Sequence, residues 1–197
     1  TFTINTPSSL FGEETFHDMK AYCYIEGDVP FTVVDNGLEE PGCGHINGKK
    51  GILLRPQTNK VKLRYAISYI SKEQAVTNLR KEINGWDIKR VQEKARDSWK
   101  AALGKIEVKG GSQRDLRVFH TALYRCYERP VDISEYGTYY SAFDHSLDPG
   151  SYFFTDNWIW DTHLALEPLH MILNPRLEEQ KLQSYVEMYR QCGTVPS

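Results

Sequence analysis

A two-domain α+β chain is predicted, strands first and helices second, and three observations predict it. Short apolar stretches fill the first 70 residues, and the last of them, "VKLRYAISY", alternates apolar and polar residues with a period of two. From Ser71 onward the period becomes helical. Clusters such as "DNG", "EEPGCG" and "INGKK" cut the first third into short pieces, whereas helix start and stop signals punctuate the remainder.

Taken in order, "TFTI", "KAYCYI", "FTVV" and "GILL" read as short strands. In "VKLRYAISY", Val61, Leu63, Tyr65, Ile67 and Tyr69 alternate with Lys62, Arg64, Ala66 and Ser68, which predicts that the first set faces a core. An antiparallel sheet or part of a sandwich follows. Ser71 is an N-cap for a helix carrying Ala75, Leu79 and Ile83, stopped at Asn84–Gly85. A second helix starts after Asp87, with Ile88, Val91, Ala95, Trp99 and Ala102 on its apolar face, and Gly104 ends it. Leu116, Phe119, Leu123 and Tyr127 mark a third helix after Ser112.

Between Pro130 and Phe154 lies a Tyr-, Gly- and Asp-rich excursion of loop and ribbon, followed by a helix from about Asn157. Asn174–Pro175 opens the last helix, with Leu182, Tyr185, Val186, Tyr189 and Cys192 as its buried face and Gly193 as its stop. Residues 1–70 thus form the sheet part, 71–110 a pair of linker helices and 111–197 a helical part. That helical part is thin for a closed domain, so a piece of something larger is expected. The chain opens at Thr1 rather than Met, which allows for a removed N-terminal segment.

The bulk numbers exclude some functions. With 197 residues, 40% apolar, 25% charged and a net charge of −2, the chain lacks the basic stripe that nucleic acid requires. No stretch reaches the roughly 20 apolar residues of a membrane span. Cys23, Cys43, Cys126 and Cys192 have no CxxC spacing, so a zinc site or a redox motif is not expected, and free buried thiols are.

Chemistry concentrates in "YFFTDNWIWDTHLALEPLHMIL", where Asp156, Asp161 and Glu167 stand among large rings. Thr155 or Asp156 can cap the helix, and Asp161 in its first turn favours the helix dipole. A carboxylate beside an indole also suits a sugar: the Trp160 ring stacks on C–H groups while Asp161 accepts hydroxyl hydrogens. His163, Glu167 and His170 fall at i, i+4 and i+7, a spacing that could hold a transition metal, although a polar face bent by Pro168 is the commoner reason for it. Tyr136, Tyr139 and Tyr140 could line a carbohydrate groove, with a ribbon packed on a helix as the default. His120 reads as a core histidine and Gly110–Gly111 as a turn. No Ser or Cys nucleophile motif is visible.

Several stretches in order resemble glycoside hydrolase family 92. "VKLRYAISYISKEQAVTNLRKEINGWDIKRVQEKARDSWKAALGKIEVKGG" is similar to the sheet end and linker helices of that family. "FHTALYRCYERPVDISEYGTYY" resembles its first barrel helix and following loop. "NWIWDTHLALEPLHMILNP" resembles its Trp-Asp-Thr segment and "MYRQCGTVP" the next helix end. The match spans roughly Tyr22 to Ser197.

The resemblance implies a β-sandwich portion over 1–70, linker helices over 71–110 and the start of an (α/α)6 barrel over 111–197. It implies part of an exo-acting, inverting, calcium-dependent α-mannosidase, periplasmic or secreted, acting on mannose-containing glycans with the remainder of the parent chain. The acid, the base and the calcium ligands of the family lie in later segments, so no catalytic or metal residue is assigned here. Trp160 and Asp161 are the implied substrate-binding residues. The family commonly has an aromatic and an arginine after Trp-Asp-Thr and a histidine before Pro-Leu, where this chain has His163, Leu164 and Glu167. Those departures favour the alternative for this chain by itself, a non-catalytic carbohydrate-binding or structural module of the same architecture.

Overall fold

The computed structural model describes residues 1–34 and 53–194. In it β1 (Phe2–Thr6), β2 (Ser9–Phe16), β3 (Met19–Gly27) and β6 (Leu63–Ser68) form an antiparallel sheet in that order. A second pair joins β4 (Phe31–Val34) to β5 (Leu53–Pro56). Cys43 and the expected turns "DNG", "EEPGCG" and "INGKK" lie outside the described residues, as do Gly51 and Ile52 of "GILL".

One strand goes beyond the sequence reading. β2 contains "GEE", yet it pairs along its whole length with β3, from Ser9↔Glu26 to Phe16↔Met19. Glu13 is held there by Lys72 at 3.1 Å and Lys20 at 3.5 Å.

Helix α1 (Lys72–Glu82) covers one face of the sheet. Ser71 Oγ accepts the Gln74 N–H as its N-cap. Tyr24, Ala75 and Leu79 form the core there, with Phe11, Ala66, Val76 and Ile83 packed around them. The face expected for β6 is inverted by this arrangement. Ala66 and Ser68 lie under α1, while Leu63, Tyr65 and Ile67 are 51%, 66% and 54% exposed. The polar side can be covered because its groups find partners. Arg64 donates twice to Glu26 Oε2 (2.6 and 2.9 Å) and to the Ile83 carbonyl (2.9 Å), and Arg80 reaches Glu26 as well. Asn78 Nδ2 donates to the Ile67 carbonyl at 3.0 Å. Buried polar groups are tolerated when each has such a partner.

By contacts the chain splits into two units, Thr1–Trp86 and Asp87–Ser197. The second begins with α2 (Ile88–Leu103), capped by Asp87 and ended at Gly104. α3 (Gln113–Arg125) starts at Ser112, where Ser112 and Asp115 exchange hydrogen bonds in a capping box. Trp99 of α2 meets Tyr124 with ring centroids 4.4 Å apart. His120, expected in a core, is exposed beside the Phe119 ring.

The excursion forms two short ribbons. β7 (Val131–Asp132) pairs with β10 (Phe154–Thr155), and β8 (Gly137–Tyr140) pairs with β9 (Leu147–Gly150). Tyr139 stacks on Phe153 at 4.1 Å, and the two bury Met188 of the last helix. Tyr139 is thus core, in keeping with a ribbon packed on a helix.

Three further elements complete the unit: α4 (Ile159–Thr162), α5 (Leu166–Leu173) and α6 (Pro175–Cys192). Gly193 ends α6 at φ 75°, a left-handed conformation that glycine adopts without a Cβ penalty. The buried side of α6 differs from the expected one. Leu182, Val186, Tyr189 and Cys192 are exposed and Tyr185 is half-buried, whereas Glu178, Lys181, Ser184 and Met188 are buried. Of the thiols, Cys23, Cys126 and Cys192 are free, and burial raises the first two above the ordinary thiol range.

Candidate functional site

The segment from Phe153 to Thr162 is anchored at one end and presented at the other. Phe153 and Phe154 are buried, and the Phe154 N–H donates to Ser184 Oγ of α6 at 3.0 Å. Asp132 Oδ1 accepts the Phe153 N–H at 3.0 Å, which closes the β7–β10 ribbon. The chain then turns through Asp156 at φ 62°. Non-glycine residues adopt that region at a cost, and Asp and Asn tolerate it best.

Asp156 does not cap the helix. Its Oδ1 accepts a hydrogen bond from Arg129 at 3.0 Å, and the N-cap position belongs to Trp158, which makes no side-chain capping bond. The helix expected from Asn157 is also divided, into α4 and α5. Pro168 explains the division: it lacks the N–H that would bond the Leu164 carbonyl, and its ring crowds that carbonyl. α5 instead starts at Leu166 and places Pro168 in its first turn, where no intrahelical donor is needed.

At the presented end Trp158 is 51% and Trp160 is 78% exposed, and Asp161 is exposed beside them. Among the described residues no side chain pairs with the Asp161 carboxylate. Its backbone N–H donates to the Trp158 carbonyl at 2.9 Å, as do the Thr162 N–H and Oγ1 at 3.0 Å. An exposed indole next to an uncommitted carboxylate is an arrangement that can stack on a sugar and accept its hydroxyl hydrogens.

His163, Glu167 and His170 go three ways. His163 is exposed with Nδ1 3.0 Å from the Ile159 carbonyl. His170 is buried with Nε2 2.8 Å from the Cys126 carbonyl, so Nε2 carries the hydrogen, because a carbonyl only accepts. Burial lowers the His170 pKa and favours that neutral ring. Glu167 turns to Lys181 of α6. Among the described residues no group of three or more His, Cys, Asp or Glu could hold a metal ion.

Lys181 has both Glu167 Oε2 and Glu178 Oε2 at 2.6 Å, with Lys181 and Glu178 almost fully buried. The Glu178 contact is an ion pair by distance only, since neither of its oxygens has a hydrogen bond of good geometry. Burial, with the neighbouring Glu167, pushes Glu178 up to about 7. Burial works the same way on Glu167, but the adjoining Glu178 carboxyl and the Lys181 ammonium that donates to its Oε2 outweigh it and bring that group down.

Residues 74–197 match the glycosyl hydrolase family 92 catalytic domain. The chain belongs to that family. Over 118 residues it is 32% identical to an uncharacterized secreted glycosidase of Arthroderma benhamiae, a match covering 54% of this chain and 15% of the relative. Its fold is similar to that of a family 92 inverting mannosidase from Bacteroides thetaiotaomicron, with a TM-score of 0.83 and 27% identity over 99% of this chain. A family 92 α-mannosidase of the same bacterium, solved in complex with mannoimidazole, shares the fold at a TM-score of 0.83 and 16% identity over 100% of this chain. The chain spans only 29% and 28% of those two structures.

Within this family 92 segment, the structure adds Arg129, Glu178 and Lys181 to the residues that the sequence singles out. No local pattern points to Arg129, because its partner Asp156 is 27 residues away. For Lys181 a signal did exist: Glu178 three residues earlier and Glu167 on the preceding helix. No helix of the described residues is long and apolar enough to cross a membrane.

Proposed function

We propose that this chain is a segment of an exo-acting, inverting α-mannosidase that removes terminal α-linked mannose from glycans in the periplasm or after secretion. The observation that carries the reading is the exposed Trp160–Asp161 pair within a chain of family 92. In this reading the strands belong to a β-sandwich, and the helices from α3 on are the first of an (α/α)6 barrel. Trp160 offers its ring to the sugar's C–H face, and Asp161 accepts hydroxyl hydrogens and helps select the configuration.

An inverting glycosidase needs one carboxylic acid to protonate the leaving oxygen and one carboxylate to activate water. Both lie outside this chain in the proposal, so the segment supplies fold and one wall of the site. Calcium takes six to eight oxygen ligands, and the described residues hold no cluster that fits it. In the proposal its ligands, too, belong to the remainder of the parent protein.

Hydrolysis of methyl α-mannoside by the full-length protein, followed by proton NMR, tests the reading. The expected first product is β-mannose, with activity lost on chelation and restored by calcium. Retained configuration, or no hydrolysis of any α-mannoside, would sink it. The second reading, a non-catalytic carbohydrate-binding module, is favoured by the departures at His163, Leu164 and Glu167, the last of which is held by buried Lys181. Mannoside binding that Asp161→Ala abolishes, with no turnover, would support that reading instead.

A further inference from the structure

We propose that Arg129 is a positioning residue that fixes the Trp160–Asp161 pair for sugar binding, acting through Asp156 and Trp158. The proposal rests on the reading of Trp160 and Asp161 as sugar contacts.

The need for such a residue follows from α4 itself. A helix of four residues cannot hold its own shape, because the first turn costs more conformational freedom than its few hydrogen bonds return. No side chain caps its start. The residues that would touch the sugar, Trp160 and Asp161, are exposed and lend it little packing. The Trp158 carbonyl takes the Asp161 N–H and both donors of Thr162, and the Ile159 carbonyl takes only His163 beyond them. Wherever Trp158 sits, Asp161 follows.

Arg129 holds both parts of that start. Its guanidinium lies over the Trp158 ring, 4.1 Å from the centroid. Its Nη1 donates to Asp156 Oδ1 at 3.0 Å, at the residue whose left-handed backbone turns the chain out of β10. Arg129 also lies two residues before the start of β7, and β7 pairs with β10 through Thr155↔Val131. The cation therefore ties the end of an anchored ribbon to the first residue of the presented turn. The planar guanidinium can stack and donate in the same pose, and an ammonium cannot.

Affinity for methyl 1-thio-α-mannoside, which resists hydrolysis, measured by calorimetry on the full-length protein, tests this in a double-mutant cycle. Asp161→Asn is expected to weaken binding. Arg129→Met is expected to raise the dissociation constant about 10-fold, since small displacements of a positioning group cost that much or more. Arg129→Lys is expected to fall between Met and the native residue. The deciding result is the double variant. If Arg129 acts through the Trp160–Asp161 pair, adding Arg129→Met to Asp161→Asn costs clearly less than Arg129→Met does alone, because only the Trp160 contact is left to misplace.

Additive losses would show that Arg129 acts on its own and would overturn the proposal, as would native affinity in Arg129→Met. Should Arg129→Met fail to fold, Asp156→Asn carries the same test, because asparagine keeps the left-handed preference and loses the charge. Native affinity in Asp161→Asn would instead overturn the sugar reading, and the positioning role with it.

Discussion

The ammonium of Lys181 lies 2.6 Å from Glu178 Oε2, with 1% and 3% of the two side chains exposed. Glu167 Oε2 is equally close to that ammonium, so one buried cation faces two carboxyls. The pair therefore keeps one proton near neutrality, with Glu178 raised to about 7 and Glu167 lowered. Glu178 binds its proton more tightly in the fold than in the unfolded chain, so between pH 4.5 and about 7 its contribution to stability falls as pH rises. Glu178→Gln is expected to abolish that fall and to stabilise the full-length protein above pH 7, by up to roughly 3 kcal/mol. His170, lowered by burial, has the opposite sign and loses its contribution as pH falls below its ordinary 6.5. Denaturation curves across that window separate the two. Lys181→Met leaves two buried carboxyls without a cation and is expected to cost about 3–5 kcal/mol.

Glu26 is the hub of the first unit. It receives Arg64, which has 10% of its side chain exposed, and Arg80 from α1. Hydrogen bonding from Arg80 lowers its pKa against the effect of burial, with Arg64 adding to it. Its stabilising contribution is therefore full above its ordinary 4.5 and lost as pH falls through the lowered folded value. Glu26→Gln is expected to cost about 2 kcal/mol at neutral pH, less than for a fully buried pair because Arg80 is half exposed. The same variant should show a shallower loss of stability in acid. An acid titration as steep as that of the native protein would argue against Glu26 as the group responsible.

The same hub shows where sequence reading stops. Ser71, Asp87, Ser112 and Gly193 were legible because caps and stops act within three or four residues. The facing of β6 was not legible. Alternation says that two faces differ, but which one α1 covers was decided by Glu26 on β3 and Arg80 on α1, far away in the chain. The polar buried side of α6 has the same origin in Glu167 of another helix. In the candidate site, Trp160 and Asp161 could be picked out by type and neighbourhood. Their exposure and the hold of Arg129 on Trp158 depend on a ribbon that the sequence shows only as turn-rich.

Gly150 has little room beside it. A Cβ there would lie 2.7 Å from Tyr139 Cε1, and the Tyr139 ring is pinned by Phe153 and by Gln191 donating to its hydroxyl at 3.2 Å. The ring cannot give way cheaply, so Gly150→Ala is expected to destabilise by about 1–3 kcal/mol, the usual cost of overpacking. A shift in the denaturant midpoint at unchanged slope is the measurement. An unchanged midpoint would mean that the β8–β9 ribbon moves off the stacked pair without loss.

The outer face of the sheet yields the prediction that reaches furthest beyond this chain. Register sets Ile67 beside Cys23, and Tyr65 beside Ile25, Leu10 and Ile4 in one row, on the side away from α1. Ile4, Tyr65 and Ile67 are each more than half exposed, and with Phe2 and Leu63 they make an apolar surface that a sandwich would bury under a second sheet. If the rest of the parent protein covers it, Ile67→Ser in the full-length protein removes a packed side chain and should cost about 2–4 kcal/mol. If the face meets only water, the same change should stay within about 0.5 kcal/mol, as surface substitutions do. The midpoint of denaturation of that single variant therefore decides whether the rest of the parent protein covers this face, as a sandwich requires.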